Sequence, residues 1–537
     1  MSNSLSIVVP VFNISEIYLK KCIESVRIQS DPNWELVLCD DGSTDKETLD
    51  CLNAYRGIDP RIRVVLKSIN EGIAVTTNRA IEFTIGDFVG FLDNDDELAP
   101  DAVAEVRKYF LNNPETDLLY TDEDKLDEHG KHCDSYYKPD WSPEHILSCM
   151  YVLHFTVIRK ALLCKLNLLR SEFDGAQDYD LVLRASKVAR HIGHIAKVLY
   201  HWRKIPGSAA EIVDAKPKAL ENAALSLADV MGCPVEQGML PGLWRTRPSL
   251  SSCPPVTLLI PTNDVVKEVP GRGKINLLVN FLHSIKKKTT YPNYKIIVVD
   301  NHNMSKQTRA SLSSLDMNIR IESYQQPPGK FSFAAKFNYC WPLVDTEHVI
   351  ILNDDMEVIS PGWIEALLEP MQDEGVGIVG ARLFHADHTI QHVGMVLGVH
   401  NGAAHIYHGF PAEYVGYNGY THVIRNYSAV TGACMLTRRS LLKRLRGFDE
   451  RFKIDYNDVD YCLRVRELGL RVVYTPFTEL YHFESYSVVR EVADKNETLL
   501  FHDRWAEVIR CDPYYNENLP RDRHDYVHTH QINHHNL

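Results

Sequence analysis

The chain has 537 residues, 45% hydrophobic and 24% charged, an ordinary globular composition that excludes a disordered, collagen-like or low-complexity chain. At about 150 residues per domain, that length predicts roughly three or four domains, or about two large ones. Its 58 basic and 71 acidic side chains give a net charge of −13, which excludes a protein that coats nucleic acid non-specifically; a phosphate-bearing ligand would have to be held locally, by a metal, backbone N–H groups or a small basic cluster.

The first residues, MSNSLSIVVPVF, carry no basic leader and no long apolar run. No stretch approaches ~18 uninterrupted apolar residues, so neither a signal peptide nor a membrane-spanning helix is expected. A cytoplasmic protein follows, one that would reach a membrane substrate from the cytosolic face. The twelve cysteines are scattered without a C-x-x-C pair, as suits reduced thiols.

SIVVPV (6–11) and ELVLCD (35–40) are short apolar runs that end in polar turns, and they predict strands of a parallel sheet buried on both faces. Between them Ile17, Leu19, Cys22, Ile23 and Val26 recur at helical spacing, with Ser15 in the N-cap position. Strand, helix and strand at this spacing make a βαβ unit and an open α/β sheet.

The same plan returns further along. SIVVPVFN (6–13) recurs as TLLIPTND (257–264), ELVLCDDGST (35–44) as KIIVVDNHNM (295–304), and DFVGFLDNDDELAPDAV (87–103) as HVIILNDDMEVISPGWI (348–364). FDGAQDYDLVLR (173–184) recurs as FKIDYNDVDYCLR (452–464), and KVLYHWR (197–203) as TELYHFE (478–484). Five blocks in conserved order mean a tandem duplication. The spacing between partners widens most between Asp355 and Asp458, so an insertion is expected around the His-, Gly- and Tyr-rich stretch 385–422. Residues 216–250, with the helical PKALENAALSLADVMG, are expected to connect domains 1–215 and 251–490. The tail 491–537 ends in DRHDYVHTHQINHHNL, which has a metal-binding flavour but is expected to be a solvated end.

Ligands of open α/β sheets sit beyond the C-terminal strand ends. There the chain presents Asp40-Asp41-Gly42, Asp93-Asn94-Asp95 and Asn353-Asp354-Asp355. A lone acidic turn is most simply a solvated turn or a helix cap; its recurrence after a matched strand favours a hard divalent cation with oxygen ligands, Mg²⁺ or Mn²⁺. Such a cation can bind a diphosphate and neutralise the charge that develops as it leaves. His201 and His482 each follow Leu-Tyr at the end of a strand-like run, and a neutral imidazole is compatible with Mn²⁺. Asp178 and Asp458 begin amphipathic helices, where a carboxylate is stabilised by the helix dipole or is free to act as a general base on a sugar or lipid hydroxyl. No G-x-G-x-x-G follows the first strand, and neither a P-loop nor a G-x-S-x-G elbow occurs, which disfavours dehydrogenase, NTPase and serine-hydrolase chemistry.

In combination these motifs resemble family 2 glycosyltransferases, over about residues 1–215 and again over 251–490. The resemblance rests on VVPVFN, CDDGSTD, NEGIAVTTNRAI, LDNDDEL, GAQDYDLVLR and LYHWR, then on LIPTND, VVDN, KFSFAAKFN, ILNDDMEVISPGW, RNYSAVTGACMLTRRSL, GFDERF, YNDVDYCLR and LYHFES. It implies two tandem GT-A domains, nucleotide-diphospho-sugar donors (dTDP, UDP or GDP) and inverting transfer dependent on Mn²⁺ or Mg²⁺. In the first copy it implies that Pro10, Phe12 and Asp41 line the base, that Asn78 and Arg79 face the nucleotide, and that Asp93 and Asn94 face the ribose and phosphates. Asp95 and His201 would hold the metal, and Asp178 would be the base. In the second copy Thr262 and Asn301 match the base pocket, Asn338 the nucleotide segment, Asn353 and Asp354 the ribose and phosphates, Asp355 and His482 the metal, and Asp458 the base.

Three positions depart from the family pattern. Gln177 and Asn457 stand where the residue before the base is usually Glu, Asn301 replaces the Asp of the first copy at position 41, and Asn353 replaces Asp93. The connector resembles that of two-domain bacterial O-antigen and capsule enzymes, often rhamnosyltransferases. The implied activity is bifunctional: each half adds a sugar to a growing lipid-linked glycan. The alternative is one catalytic domain beside a degenerate glycan-binding or scaffolding domain. A nucleotidyltransferase would need a Gly-rich N-terminal loop that both copies lack. The run TRRSLLKRLRGF (437–448), with Arg438 and Arg439, is either a solvated helix face or a cationic rim for peripheral contact with the inner membrane.

Overall fold

Six of the seven residues of strand Leu5–Val11 are buried, because the strand has neighbours on both edges and helices on both faces. It runs parallel to Trp34–Asp40 on one side and Phe88–Phe91 on the other. Trp34–Asp40 in turn pairs parallel with Ile62–Leu66. The computed structural model describes residues 4–205, 217–250, 253–327, 331–483 and 494–527, and divides the chain into two units, Met1–Thr246 and Arg247–Leu537.

The expected parallel sheet covers the first half of each unit. Beyond Phe88–Phe91 the sheet becomes mixed: Val157–Arg159 and then Thr116–Leu126 join antiparallel, His191–Arg203 joins parallel to Thr116–Leu126, and Glu97–Leu98 closes the path antiparallel. The second sheet repeats this order strand for strand, as Ile319–Ser323, Tyr294–Asp300, Val256–Pro261, His348–Leu352, Cys434–Arg438, Val376–Phe384, Arg471–His482 and Met356–Val358. The duplication read from sequence is thus a duplication of topology. Each α/β unit has its own apolar core.

Ser15 does precede helix Glu16–Arg27, but its side chain makes no capping bond; its carbonyl accepts from the N–H groups of Tyr18 and Leu19. In the second unit Asn276 caps the matching helix Leu277–Lys288 with its side chain, accepting from Val279 N–H.

The helices that carry the two acids expected as bases are Gln177–Ser186 and Asn457–Glu467. Each is anchored two residues later by a fully buried aspartate. Asp180 pairs with Arg170 and Arg184, and Arg184 also donates to the carbonyls of Leu166 and Leu168. Asp460 pairs with Arg464 and Arg504, and Arg464 donates to the carbonyls of Leu445 and Gly447. The repeat therefore conserves a fixed mount for the helix as well as its first turn.

This mount explains the helix expected as a connector. Helix Pro217–Met231 packs within the first unit, where Ser226 Oγ donates to Asp180 and Asn222 donates to the Asp174 carbonyl. Helix Lys495–Arg510 takes the equivalent place in the second unit, with Trp505 Nε1 donating to Asp460 at 3.1 Å. The segment 494–527, expected as a solvated end, is folded: Tyr515 and Tyr526 are buried, and Asp512 accepts from Ser428 Oγ and Leu397 N–H. The buried Phe501, Trp505 and Ile509 lie among charged neighbours, so the sequence carries little local sign that this segment packs. The last ten residues, with most of the tail histidines, lie outside the described residues.

The expected insertion is also folded. Residues 385–422 form short strands and turns over the second sheet, held by a cluster in which Tyr407, Tyr417 and Tyr420 pack around Tyr526. Tyrosine supplies large contact area and a polar end, so a Gly- and His-rich segment can still bury a core.

Candidate active site

In the first unit the strand ends converge as the acidic turns suggest. Pro10, Phe12, Asp41, Asp93, Asn94 and Asp95 line one cavity of about 280 Å³. Asp41 is fixed by the backbone N–H groups of Glu71 and Gly72 and by Lys67 Nζ at 2.7 Å. Burial pushes its carboxyl up, but these donors outweigh it and hold it below the usual range. Asn94 donates to the Pro10 carbonyl, which ties the acidic turn to the first strand. Burial, reinforced by Asp93, raises Asp95 to about 6, outweighing the opposing pull of Arg203 and His154.

Gly72 shapes this cavity. Its φ of +93° belongs to the left-handed side, and an added Cβ would strike the Asp174 carboxylate. Gly72→Ala is expected to cost about 1–3 kcal/mol of stability and to disturb the Asp41 clamp. Urea unfolding with a parallel nucleotide titration checks both effects.

A second cavity of about 110 Å³ shares Pro10, Ile73 and Asp93 with the first and contains Gln177, Asp178 and His154. Burial raises Asp178, opposed by the Tyr179 N–H. A carboxylate shifted toward neutrality is a better proton acceptor at working pH. His154 was not singled out from the sequence. Burial alone would lower its pKa, but the Glu123 carboxylate at 3.4 Å raises it to about 9 and leaves a cation between Asp93 and Asp178. Counting back along the chain from the matched strand positions Val157 and Leu436 sets Ala433 at its place in the second unit, so comparison of the repeats could not find it.

Three expected residues stand elsewhere. Asn78 donates to the Leu169 carbonyl and accepts from Leu169 N–H, a two-way clamp on the segment before helix Gln177–Ser186. Asn338 repeats this clamp on Phe448. Arg79 is exposed, pairs with Glu82 and lies over the Phe83 ring. None of the three lines the cavities described above or the one that holds Asp458.

His201 is bonded through Nδ1 to Asp124 at 2.6 Å, and His132 bonds the other oxygen of Asp124 at 2.9 Å. These three side chains bring one ligand atom each within 4.8 Å of one another, a set that could hold a metal ion. Neither Asp124 nor His132 was expected there; Asp124 lies inside a strand, Thr116–Leu126, whose register sets it opposite His201.

In the second unit the expected pair is in contact. His482 Nε2 lies 3.1 Å from Asp355 Oδ1, while its Nδ1 bonds Gln391 Oε1 at 2.6 Å. Burial pushes Asp355 up, yet His482 outweighs it and brings the carboxyl below its ordinary value. Asp354 accepts from Thr262 Oγ1 and is raised by burial and by Asp355. Asn301 donates to Asn263 at the edge of this turn. Asn353, Asp458 and His482 line one cavity of about 370 Å³, in which Asp458 Oδ2 accepts from Gly432 N–H at 2.8 Å. The buried Lys336 donates to the Thr262 carbonyl, and burial lowers it to about 8.

Arg438 does not form a free cationic rim. It is half-buried and donates to the carbonyls of Met371, Asp373 and Glu374, closing the turn after helix Trp363–Leu368. Lys443, Arg444 and Arg446 are the exposed members of that run. Among the described residues no helix is long and apolar enough to cross a membrane. All twelve cysteines are free thiols.

Comparison with known proteins gives the family. Residues 6–163 match Glycosyl transferase family 2, and residues 254–506 match Glycosyltransferase like family 2. The chain belongs to the family 2 glycosyltransferases, with one family domain in each unit. It is 37% identical to the uncharacterized protein y4gI of Sinorhizobium fredii over 97% of this chain and 58% of that protein. It is 35% identical to the O-antigen biosynthesis protein RfbC of Myxococcus xanthus over 96% of this chain and 40% of that protein. A chondroitin synthase of Pasteurella multocida is 32% identical over 37% of this chain and 20% of its own length. The chain thus spans about half the length, or less, of these relatives. Among solved structures, S. aureus TarS in complex with UDP-GlcNAc aligns over 42% of this chain and 66% of that chain, with a TM-score of 0.36 and 24% identity.

Proposed function

We propose that each unit is an inverting glycosyltransferase that draws on a nucleotide-diphospho-sugar and extends a bacterial surface polysaccharide carried on a lipid. The observation that carries this reading is the meeting, in both units, of an acidic strand-end turn and the first turn of the mounted helix at one cavity region: Asp93 with Asp178, and Asn353 and His482 with Asp458. The likeness to RfbC over nearly the whole chain supports polysaccharide assembly as the setting.

The proposed step is a single displacement. The acceptor hydroxyl oxygen forms a bond to the anomeric carbon as the bond from that carbon to the nucleoside diphosphate oxygen breaks. The hydroxyl proton passes to Asp178 or Asp458, and the configuration inverts because the two groups act from opposite sides of the sugar. The strand-end groups, Pro10, Phe12 and Asp41 in the first unit and Thr262 and Asn301 in the second, hold the base. Each proton-accepting carboxylate would act on the face of the sugar opposite the departing diphosphate, as inversion requires.

The second unit's donors fit a hard or borderline divalent ion, because the Asp355 carboxylate oxygen meets a histidine whose other ring nitrogen is already bonded to Gln391. Asp355 and His482 would hold it there; in the first unit the side chains that come together are Asp124, His132 and His201, and Asp95 of the acidic turn is not in contact with them. When bound, Mn²⁺ or Mg²⁺ offsets the charge that develops on the departing diphosphate. Gln391 fixes the tautomer of His482, so Gln391→Leu is expected to weaken metal binding by about 10–100-fold. Manganese titration followed by electron paramagnetic resonance reads this without turnover. The function itself is tested by incubating the chain with a panel of dTDP-, UDP- and GDP-sugars and a polysaccharide fragment. Transfer with inverted configuration is expected, and retention of configuration would overturn the reading.

A further inference from the structure

The second unit carries a cavity walled by the insertion 385–422, which the first unit lacks in sequence, together with the helix Lys495–Arg510 and His524. Its volume is about 790 Å³, ample for two or three sugar rings. Five imidazoles face it, from His400, His405, His408, His502 and His524, together with the ammonium of Lys495. Among the described residues no Asp or Glu lines it, although the chain as a whole carries a net charge of −13. A pocket walled by imidazole N–H groups and an ammonium, with no carboxylate among them, offers hydrogen-bond donors and one positive charge to an anion.

The cavity also has a direction. Ala403, His405 and Tyr456 line both it and the cavity that holds Asp458. Tyr456 is two residues before Asp458 and stacks on Phe501 with ring centroids 4.3 Å apart, so it is braced where the two spaces join. His405 is likewise braced, with its Nδ1 3.1 Å from Nδ1 of the buried His392. A chain whose end lies at Asp458 would have its following sugars in the histidine-lined space.

We infer that this cavity is the acceptor subsite of the second unit and that it takes an anionic glycan, one bearing carboxylate or phosphate groups on the sugars behind the accepting residue. This deepens the proposed function and rests on Asp458 as the proton acceptor. Imidazole N–H groups and the Lys495 ammonium would donate charge-assisted hydrogen bonds to the anion. Tyr456 would present a ring face or hydroxyl to the sugar beside the base. The first unit, without this insertion, is left to read a different acceptor end.

The test is calorimetric binding to the full chain of three oligosaccharides of equal length: neutral, uronate-bearing and phosphate-bearing. The expected result is that one or both anionic compounds bind at least 10-fold more tightly than the neutral one, and the two anionic arms separate carboxylate from phosphate. Lys495→Glu and His400→Glu, both at exposed positions, should remove most of that preference while leaving the circular dichroism spectrum and nucleotide binding unchanged. Equal binding of neutral and anionic compounds, or an anion preference that survives both charge reversals, would overturn the inference. Asp458→Asn separates the two readings: it should abolish transfer by the second unit yet retain anionic-glycan binding. If glycan binding persists and transfer is also intact, the assignment of the base fails and the subsite stands.

Discussion

Asp178→Asn and Asp458→Asn are each expected to remove one glycosidic linkage from the product, with transfer by the altered unit falling about 10²–10⁴-fold. An amide keeps the shape and the hydrogen-bonding reach of the carboxylate but accepts no proton at neutral pH. The backbone supports differ: Asp178 receives the Tyr179 N–H, whereas Asp458 receives those of Gly432 and Val459. Donor binding should be little changed in either variant, because the cavities that would hold the nucleotide are framed by the strand-end turns. Linkage analysis of the product made by each variant, with donor affinity measured alongside, checks this. If a variant keeps both linkages, the carboxylate is not the base of that unit.

The largest expected effect on stability comes from the mounts beneath those acids. Asp180→Ala leaves Arg184 without a carboxylate partner while Arg170 keeps Asp229, and Asp460→Ala leaves Arg464 without one while Arg504 keeps Asp449. Removing one member of a buried ion pair costs about 3–5 kcal/mol, since the charge left behind, here Arg184 or Arg464, is desolvated and unpaired. Each substitution should therefore destabilise its own unit and spare the other, visible as one of two unfolding transitions moving in a denaturant titration. For Asp180 the sign with pH follows from its environment. Burial pushes the carboxyl up, and the two guanidinium groups outweigh it and bring it below the ordinary value. Its contribution is then complete above the unfolded pKa of about 4 and is lost as pH falls toward the lower folded value.

The architecture was legible because buried parallel strands and their crossover helices leave strong local patterns, and because the repeat supplied each pattern twice. Pro10 and Pro261, Asp95 and Asp355, and Asp178 and Asp458 all fall at the strand ends and helix starts that the spacing implied. The mixed outer strands were less legible: Thr116–Leu126 carries TDEDK in its second half, a polar run whose burial depends on partners distant in sequence. Asp124 and His154 were missed for that reason. Neither sits in a repeated motif, and their roles come from register with His201 and contact with Glu123. Asn78 recurs as Asn338, and each clamps a backbone segment about a hundred residues away, a contact that sequence could not show. Likewise Arg438 looked like surface charge because the carbonyls it binds belong to a turn more than sixty residues away.

If two separate nucleotide sites operate on one chain, isothermal titration with a nucleoside diphosphate in the presence of Mn²⁺ should give two equivalents per chain, with one lost in an Asp95→Ala variant and the other in Asp355→Ala. A single equivalent in the unaltered chain, removed by only one of those substitutions, would mean that one unit holds no nucleotide.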